Sequence, residues 1–412
     1  MMRRIARLGL LTQILIAFVI AVILGIVFGP AINVVQPLGD LFLRLIKFII
    51  VPLILSTLVM GVASTGDIKK LGRIGSKTIG YFLITTFGAV SIGLILGSIF
   101  SPGKGVNISV PSEAAPPPET EGVINILLNI IPTNPIAALA EANILQIIFF
   151  AIFIGLGITM VGKKAQPLQD FFIGLSEVML KITGIIMKFA PIGIFGLMAP
   201  IIGEYGASVL LPLIKLVLSV GVACILHAVV IYSFTVKTFG KMSPIKFFKG
   251  ILPASVVAFS TQSSSGTLPV SMKNCEDNLG VSNEVSSFVL PLGATINMDG
   301  TAIYMGVATL FIAQFYSVSL TFEQFLLVIL IATLGSIGTA GVPGAGLVML
   351  TMVLTAVNLP LEGIALIAGV DRFLDMFRTS VNVTGDASAA VIINTSENKL
   401  NVALEQSSNK VV

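Results

Sequence analysis

The sequence predicts an all-α integral membrane protein, and three observations carry that reading. Of the 412 residues, 55% are hydrophobic and only 11% charged, whereas soluble chains carry about a quarter charged residues. Apolar runs long enough to cross a bilayer as helices, roughly 20 residues, recur along the chain, among them 9–29, 78–100 and 210–234. Lysine and arginine cluster in alternate connections, as the positive-inside rule requires of a chain that crosses the membrane repeatedly.

Each segment follows from these patterns. The run 9–29 follows Arg3, Arg4 and Arg7. It is too long for a signal-peptide core and lacks a small-residue cleavage site, so it is expected to stay as the first crossing. A second segment, about 38–62, leads to Lys69, Lys70, Arg73 and Lys77. The third opens onto 101–122, which is Pro-rich, irregular and net acidic. The fourth, about 124–160, is too long for one straight crossing and is expected to be broken or steeply tilted; Lys163 and Lys164 follow it. The fifth ends at "GEYG" (203–206), with no basic residue, and the sixth precedes Lys237, Lys241, Lys246 and Lys249. This alternation puts the N-terminus in the cytoplasm and makes the first six segments simple crossings. The pI near 9 therefore reports topology, not nucleic-acid binding.

From residue 244 onward the apolar stretches are interrupted by "STQSSSGTLP" (260–269), "GATINMDGTA" (293–302), "GSIGTAGVPGAG" (335–346) and "DRFLDMFRTSVNVTGD" (371–386). Irregular chain at bilayer depth survives only buried in protein or lining a watery cavity. The breaks at 260–269 and 335–346 divide segments whose halves are each too short to span, which predicts two re-entrant helical hairpins. A longer segment follows each. Paired interruptions of this kind point to an inverted-repeat secondary transporter with its site at the breaks.

The side chains at the breaks fit that reading. Asp375, Arg378, Thr379, Asn382 and Asp386 share one stripe of a helix. Ionisable groups at bilayer depth normally face a pathway or a partner. Asp375 and Arg378 could simply neutralise each other, but that leaves Asn382 and Asp386 unexplained. A carboxylate for an ammonium, a guanidinium fork for a carboxylate and deeper acceptors for a cation explain the whole stripe. In "NMDGT" (297–301), Asn297, Asp299 and Thr301 cannot all point one way from a regular helix, so an unwound turn is expected at Asp299–Gly300. Its freed carbonyls would suit a hard cation of the Na⁺ type. "GTAGVPGAG" (338–346) offers backbone amides to a ligand and also the flexibility of a hinge. Cys224 and Cys275 match no metal or redox spacing. His227, inside an apolar run, reads as a packed structural histidine ahead of a proton relay. A carboxylate-dyad enzyme built on Asp299 and Asp375 would need neither the glycine-rich hairpins nor Arg378.

In this order, "SSSGTLP", "GATINMDGT", "GTAGVPGAG" and "DMFRTSVNVTGD" resemble the glutamate/aspartate transporter family of dicarboxylate/amino acid:cation symporters, especially its prokaryotic sodium-coupled aspartate transporters. The likeness extends over essentially the whole chain, including 41–54 and 190–200. It implies eight transmembrane helices plus two re-entrant hairpins in inverted repeats, a homotrimer, an elevator mechanism and a multi-pass protein of the cell inner membrane with both termini cytoplasmic. Residues 1–77 would hold the first two scaffold and trimerisation helices, and 78–101 the third helix, part of the transport domain. Residues 102–206 would form an extracellular loop and scaffold helices four and five. Residues 207–396 would complete the transport domain, and 397–412 would be a cytoplasmic tail.

The resemblance also implies a site. Asp375 would take a substrate α-ammonium, and Arg378 with Thr301 a side-chain carboxylate. Asn382, Thr379 and the hairpin around Gln262, Ser263 and Ser264 would hold the α-carboxylate. The stretch Val342, Pro343, Gly344, Ala345 and Gly346 would close over the ligand. Two to three sodium ions, with no prosthetic group, would couple transport. One would use Gly293, Asn297, Asn382 and Asp386. A second would use Ser336, Ile337 and Thr339 with Thr295 and Met298 nearby. A third would use Phe82, Thr85 and Thr86 with Asn297 and Asp299. Relatives that move neutral amino acids lack the arginine at 378, and those that move plain dicarboxylates lack the aspartate at 375. Both are present, so the implied activity is sodium-coupled import of an acidic amino acid, L-aspartate or L-glutamate. The alternative is a proton-coupled glutamate/aspartate or C4-dicarboxylate symporter of the same family. A channel-like anion conductance, which the family also shows, is compatible with either. Archaeal members have Arg where this chain has Gln262, and animal members have Arg where it has Met376.

Overall fold

The computed structural model describes residues 10–63, 71–105, 128, 131–336 and 344–408. Every regular element among them is helical. The first, α1 (Leu10–Phe28), carries no charge and is divided between buried Ile14 and Ala21 and outward-facing Val19, Ile23 and Val27. A 3₁₀ turn (Gly29–Val35) leads to α2 (Gln36–Ala63), and α3 (Leu71–Phe100) follows. The long fourth segment, expected to be broken or steeply tilted, is broken. A short α4 (Pro135–Ala140) is capped by Asn134, which accepts from the Ile136 and Ala137 amides. The chain then turns at Ala142, with φ +55°, and α5 (Ile144–Val161) starts after a second asparagine cap at Asn143. Next come α6 (Gln166–Lys188), α7 (Ala190–Tyr205) and α8 (Leu210–His227). A π-helical turn (Ala228–Tyr232) separates α8 from α9 (Ser233–Thr238).

The first hairpin pairs α10 (Pro244–Thr261) with α11 (Ser264–Asp277). Its break is only Gln262–Ser263, much narrower than the polar stretch 260–269. The Ser263 hydroxyl accepts the Gly266 amide at 3.0 Å, so the serines restart the helix at once instead of forming a loop. Then α12 (Asn283–Ile296) and α13 (Asp299–Phe315) are separated at Asn297–Met298. The unwound turn thus lies two residues before Asp299–Gly300, where it was expected. Asp299 and Gly300 instead open α13, where the helix dipole favours an acid and the Gly300 amide finds an acceptor in Asn382 Oδ1 at 2.8 Å. The second hairpin pairs α14 (Phe322–Gly335), started by a Thr321–Gln324 capping box, with α15 (Ala345–Ala356). Its intervening tip, 337–343, lies outside the described residues. A short α16 (Gly363–Ala368) precedes α17 (Asp371–Ser408).

Packing sorts the helices into two groups. In one, α1 lies on α7, and α2 on α5, α6 and α7. Small residues let these backbones meet: a Cβ on Gly39 would stand 2.9 Å from the Gly196 carbonyl carbon, the close approach that membrane helices use in place of a hydrophobic drive. In the other group, α3 lies on α13, while α10, α12 and α13 surround α17. Helix α13 has nearly every side chain buried. By contrast Phe48, Ile84, Met160, Leu218 and Phe234 face outward, a surface suited to lipid rather than water.

Candidate functional site

The broken helices put their interruptions side by side around α17. Two clusters result, joined by Asn382.

The deeper cluster centres on Asp299, whose side chain is fully buried. Its Oδ1 accepts from Thr86 at 2.7 Å and from Thr85 at 3.3 Å, both on α3. Its Oδ2 accepts from the Tyr232 hydroxyl at 2.8 Å and lies 3.2 Å from His227 Nε2. The π turn sets this geometry: its extra residue per turn lets His227 and Tyr232, five apart, reach one oxygen. Thr85 also donates to the Phe82 carbonyl at 3.1 Å. Asn297, in the break, donates to the Asn382 carbonyl at 3.1 Å and to Asp386 Oδ1 at 2.9 Å. Its own Oδ1 is buried without a hydrogen-bond partner among the described residues. A free amide oxygen, two buried carboxylates and two threonine hydroxyls gather here, oxygen donors of the kind a hard cation such as Na⁺ takes. No zinc-like group of three or more His, Cys, Asp or Glu forms among the described residues. Gly293 lies against Asp386: a Cβ there would stand 2.4 Å from Oδ1.

The second cluster centres on Arg378, fully buried. Nη1 donates to Asp371 at 2.7 Å and Nε to Asp375 at 3.3 Å. Nη2 is 3.0 Å from Asp375 Oδ1 but makes no hydrogen bond among the described residues. The guanidinium lies 4.2 Å from the Tyr304 ring centroid, a cation–π contact strengthened by desolvation. Thr379 donates to Asp375 at 3.2 Å, and the Gly344 amide approaches its other oxygen at 3.4 Å. Asn382 Nδ2 reaches Met298 Sδ at 3.1 Å and Thr301 Oγ1 at 3.4 Å. Two glycines make the crowding tolerable. A Cβ on Gly300 would be 2.2 Å from the Arg378 carbonyl oxygen, and one on Gly346 would be 2.7 Å from the guanidinium carbon. Three buried polar atoms around one guanidinium lack hydrogen-bond partners among the described residues: Arg378 Nη2, Asp371 Oδ2 and the Tyr304 hydroxyl. Such atoms are costly in a core and useful where a polar ligand binds.

Most of the predicted residues therefore converge. Asp375, Arg378, Thr379, Thr301, Asn382, Gly344 and Gly346 meet in the second cluster, with Ala345 buried at the start of α15. Phe82, Thr85, Thr86, Gly293, Asn297, Asp299 and Asp386 meet in the first, and Met298 lies against Thr301 and Asn382. Ser264 is buried at the first hairpin tip. The Gln262 amide engages Arg372 on both sides. Thr295 and Ser336 each bond a carbonyl of their own helix, at 2.9 and 2.7 Å. Ile337, Thr339, Val342 and Pro343 lie outside the described residues. Sequence reasoning missed Asp371, Tyr304 and Tyr232, and ranked His227 as a packed histidine ahead of a proton relay, without its contact to Asp299. Asp371 was legible: it lies seven residues before Arg378, on the same helical stripe. The tyrosines were not, because their partners come from distant helices.

The sequence profile of the Sodium:dicarboxylate symporter family matches residues 10–396. The chain is 39% identical over 406 residues to a protein named proton/sodium-glutamate symport protein from Geobacillus stearothermophilus, covering 96% of each. It is 38% identical over 406 residues to the proton/glutamate-aspartate symporter of Escherichia coli, covering 94% of this chain and 92% of that one. It is also 38% identical over 402 residues to a C4-dicarboxylate transport protein of Bacillus subtilis, covering 96% and 95%. With a profile match over nearly the whole chain and full-length relatives well above 30% identity, the helical fold and its buried ionic clusters have a family: this chain belongs to the sodium:dicarboxylate symporters, multi-pass membrane transporters rather than enzymes.

Proposed function

We propose that the protein is a sodium-coupled symporter that imports an acidic amino acid, L-aspartate or L-glutamate, working as a homotrimer by an elevator movement of the α3, α8–α17 group against the α1, α2, α5–α7 group. The observation that carries the substrate is the charge pattern around Arg378. A guanidinium whose Nη2 is ion-paired with Asp375 at 3.0 Å but hydrogen-bonded to no described residue suits a carboxylate held by charge-assisted bonds. Asp375, one helical turn away with Gly344 and Thr379 on its oxygens, suits an ammonium. A plain dicarboxylate would leave that acid facing a second anion, at a cost.

The coupling follows from the other cluster. Asp299 and Asp386 are both buried, and buried carboxylates are stable only when neutralised. A cation held by Asn297 Oδ1 and these acids would steady the Asn297–Met298 break. Through Asn382, which caps α13 at Gly300 and faces Thr301, it would set the substrate side chains. The homologues' names carry protons as well as sodium, and one carries C4-dicarboxylates, so a proton-coupled glutamate/aspartate or C4-dicarboxylate symporter is the second reading. Uptake into proteoliposomes decides between them. Labelled L-aspartate should accumulate under an inward Na⁺ gradient; accumulation under a proton gradient alone refutes sodium coupling, and preference for succinate refutes the amino-acid assignment.

A further inference from the structure

The first hairpin tip contains a buried arginine interaction that the cluster around Arg378 does not use. Gln262 ends α10 in the left-handed region, φ +55° and ψ 32°. At a helix C-terminus that conformation belongs to glycine, which adopts it without steric cost. A glutamine is there for its side chain. That side chain is buried, and both ends of its amide are taken by one residue: Oε1 accepts from Arg372 Nη1 at 2.9 Å, and Nε2 donates to the Arg372 carbonyl at 3.1 Å. Arg372 is itself 4% exposed, and its Nη2 has no hydrogen-bond partner among the described residues. No carboxylate pairs with it among the described residues; the adjacent Asp371 turns its Oδ1 to Arg378. A guanidinium held this deep without a paired acid is expensive, and Met, Leu or Gln would fill the space without the charge.

We propose that Arg372 is a second arginine determinant of substrate affinity, a positioning residue that acts through Gln262. The paired amide fixes the hairpin tip, with Ser263 and Ser264, against the first turn of α17. The guanidinium raises the positive potential where a substrate carboxylate would meet the tip amides. It also offsets the local acids: Asp371 and Asp375 are balanced by Arg372 and Arg378, so an anionic substrate enters a neutral site instead of a negative one. This inference rests on the acidic-substrate reading given above.

The test is KM and Vmax for L-aspartate, L-glutamate and succinate in proteoliposomes for the wild type, Arg372→Gln, Arg372→Lys, Gln262→Gly and the double variant Arg372→Gln/Gln262→Gly. Arg372→Gln should raise KM for the preferred substrate by about tenfold, the loss of one charge-assisted hydrogen bond, with Vmax within about threefold. Arg372→Lys should recover part of that loss because it restores the charge. Gln262→Gly relieves the left-handed strain, so a purely structural role predicts a stable protein with unchanged KM, whereas the pairing predicts a rise of several-fold. The double variant should lose no more than Arg372→Gln alone, since both break one interaction. Wild-type KM in Gln262→Gly, or additive losses in the double variant, overturns the inference even if Arg372→Gln fails to fold. Wild-type uptake of none of the three substrates overturns the functional reading, and this one with it.

Discussion

Arg378→Cys removes the group on which the second cluster is built. In the structure the guanidinium bonds Asp371 at 2.7 Å, approaches Asp375 at 3.0 Å and covers Tyr304. A carboxylate bound by both arms of the fork would make two charge-assisted bonds, each worth about 1.5–3 kcal/mol. Losing both is about 3–6 kcal/mol, or about two to four orders of magnitude in affinity. The same substitution leaves Asp371 buried without its cation, an effect of comparable size on stability, so folding must be measured beside transport. The assay is uptake of labelled L-aspartate and L-serine under a fixed Na⁺ gradient, with size-exclusion profile and thermal midpoint recorded for each preparation. The expected result is loss of aspartate uptake with gain of serine uptake, because the ammonium and α-carboxylate contacts survive and the emptied space accepts a short neutral side chain. A folded variant whose KM for aspartate stays within about threefold of wild type would refute the role given to Arg378.

Three further outcomes are expected. Asp386→Asn, which removes the charge beside Asn297 and Gly293, should raise the half-saturating Na⁺ concentration by about tenfold while the order of preferred substrates stays the same; an unmoved Na⁺ dependence takes Asp386 out of the cation site. Gly346→Ala places a Cβ 2.7 Å from the Arg378 guanidinium carbon, so it should raise KM by about tenfold; unchanged KM would mean the arginine has room to shift. Glu397→Gln breaks the pairing of the C-terminal half of α17 with Lys77, at 2.9 Å, and with Arg73. Those bases are more than a third exposed, so the thermal midpoint should fall by only about 1–2 °C, with uptake kinetics unaltered; altered KM would tie this pairing to the binding site.

Much of the fold is written in composition and order. Long, predominantly apolar runs must form helices in lipid, because the backbone can satisfy its hydrogen bonds in no other open-chain form; α1, α3 and α8 were readable for that reason. That the fourth segment is either broken or steeply tilted followed from its length alone; the structure breaks it between Ala140 and Ile144. The stripe of α17 was readable because period 3.6 places 375, 378, 379, 382 and 386 on one face without help from the rest of the chain. The break in "NMDGT" was visible as a need for unwinding, but its place was two residues off. Which residue starts α13 depends on an acceptor 82 residues away, Asn382.

What the sequence determined by itself, then, is what local rules govern: helical spans, the two interrupted helix pairs, and the residue types gathered on α17. Only the tertiary structure decided which distant groups share an atom. Asp299 is held by α3 from one side and by the π turn after α8 from the other, and the Gln262 amide is engaged by Arg372. Pairings of this kind join positions from 67 to 213 residues apart, and no periodicity carries information over such distances. They exist because a buried charge at bilayer depth must find partners wherever the packing brings them.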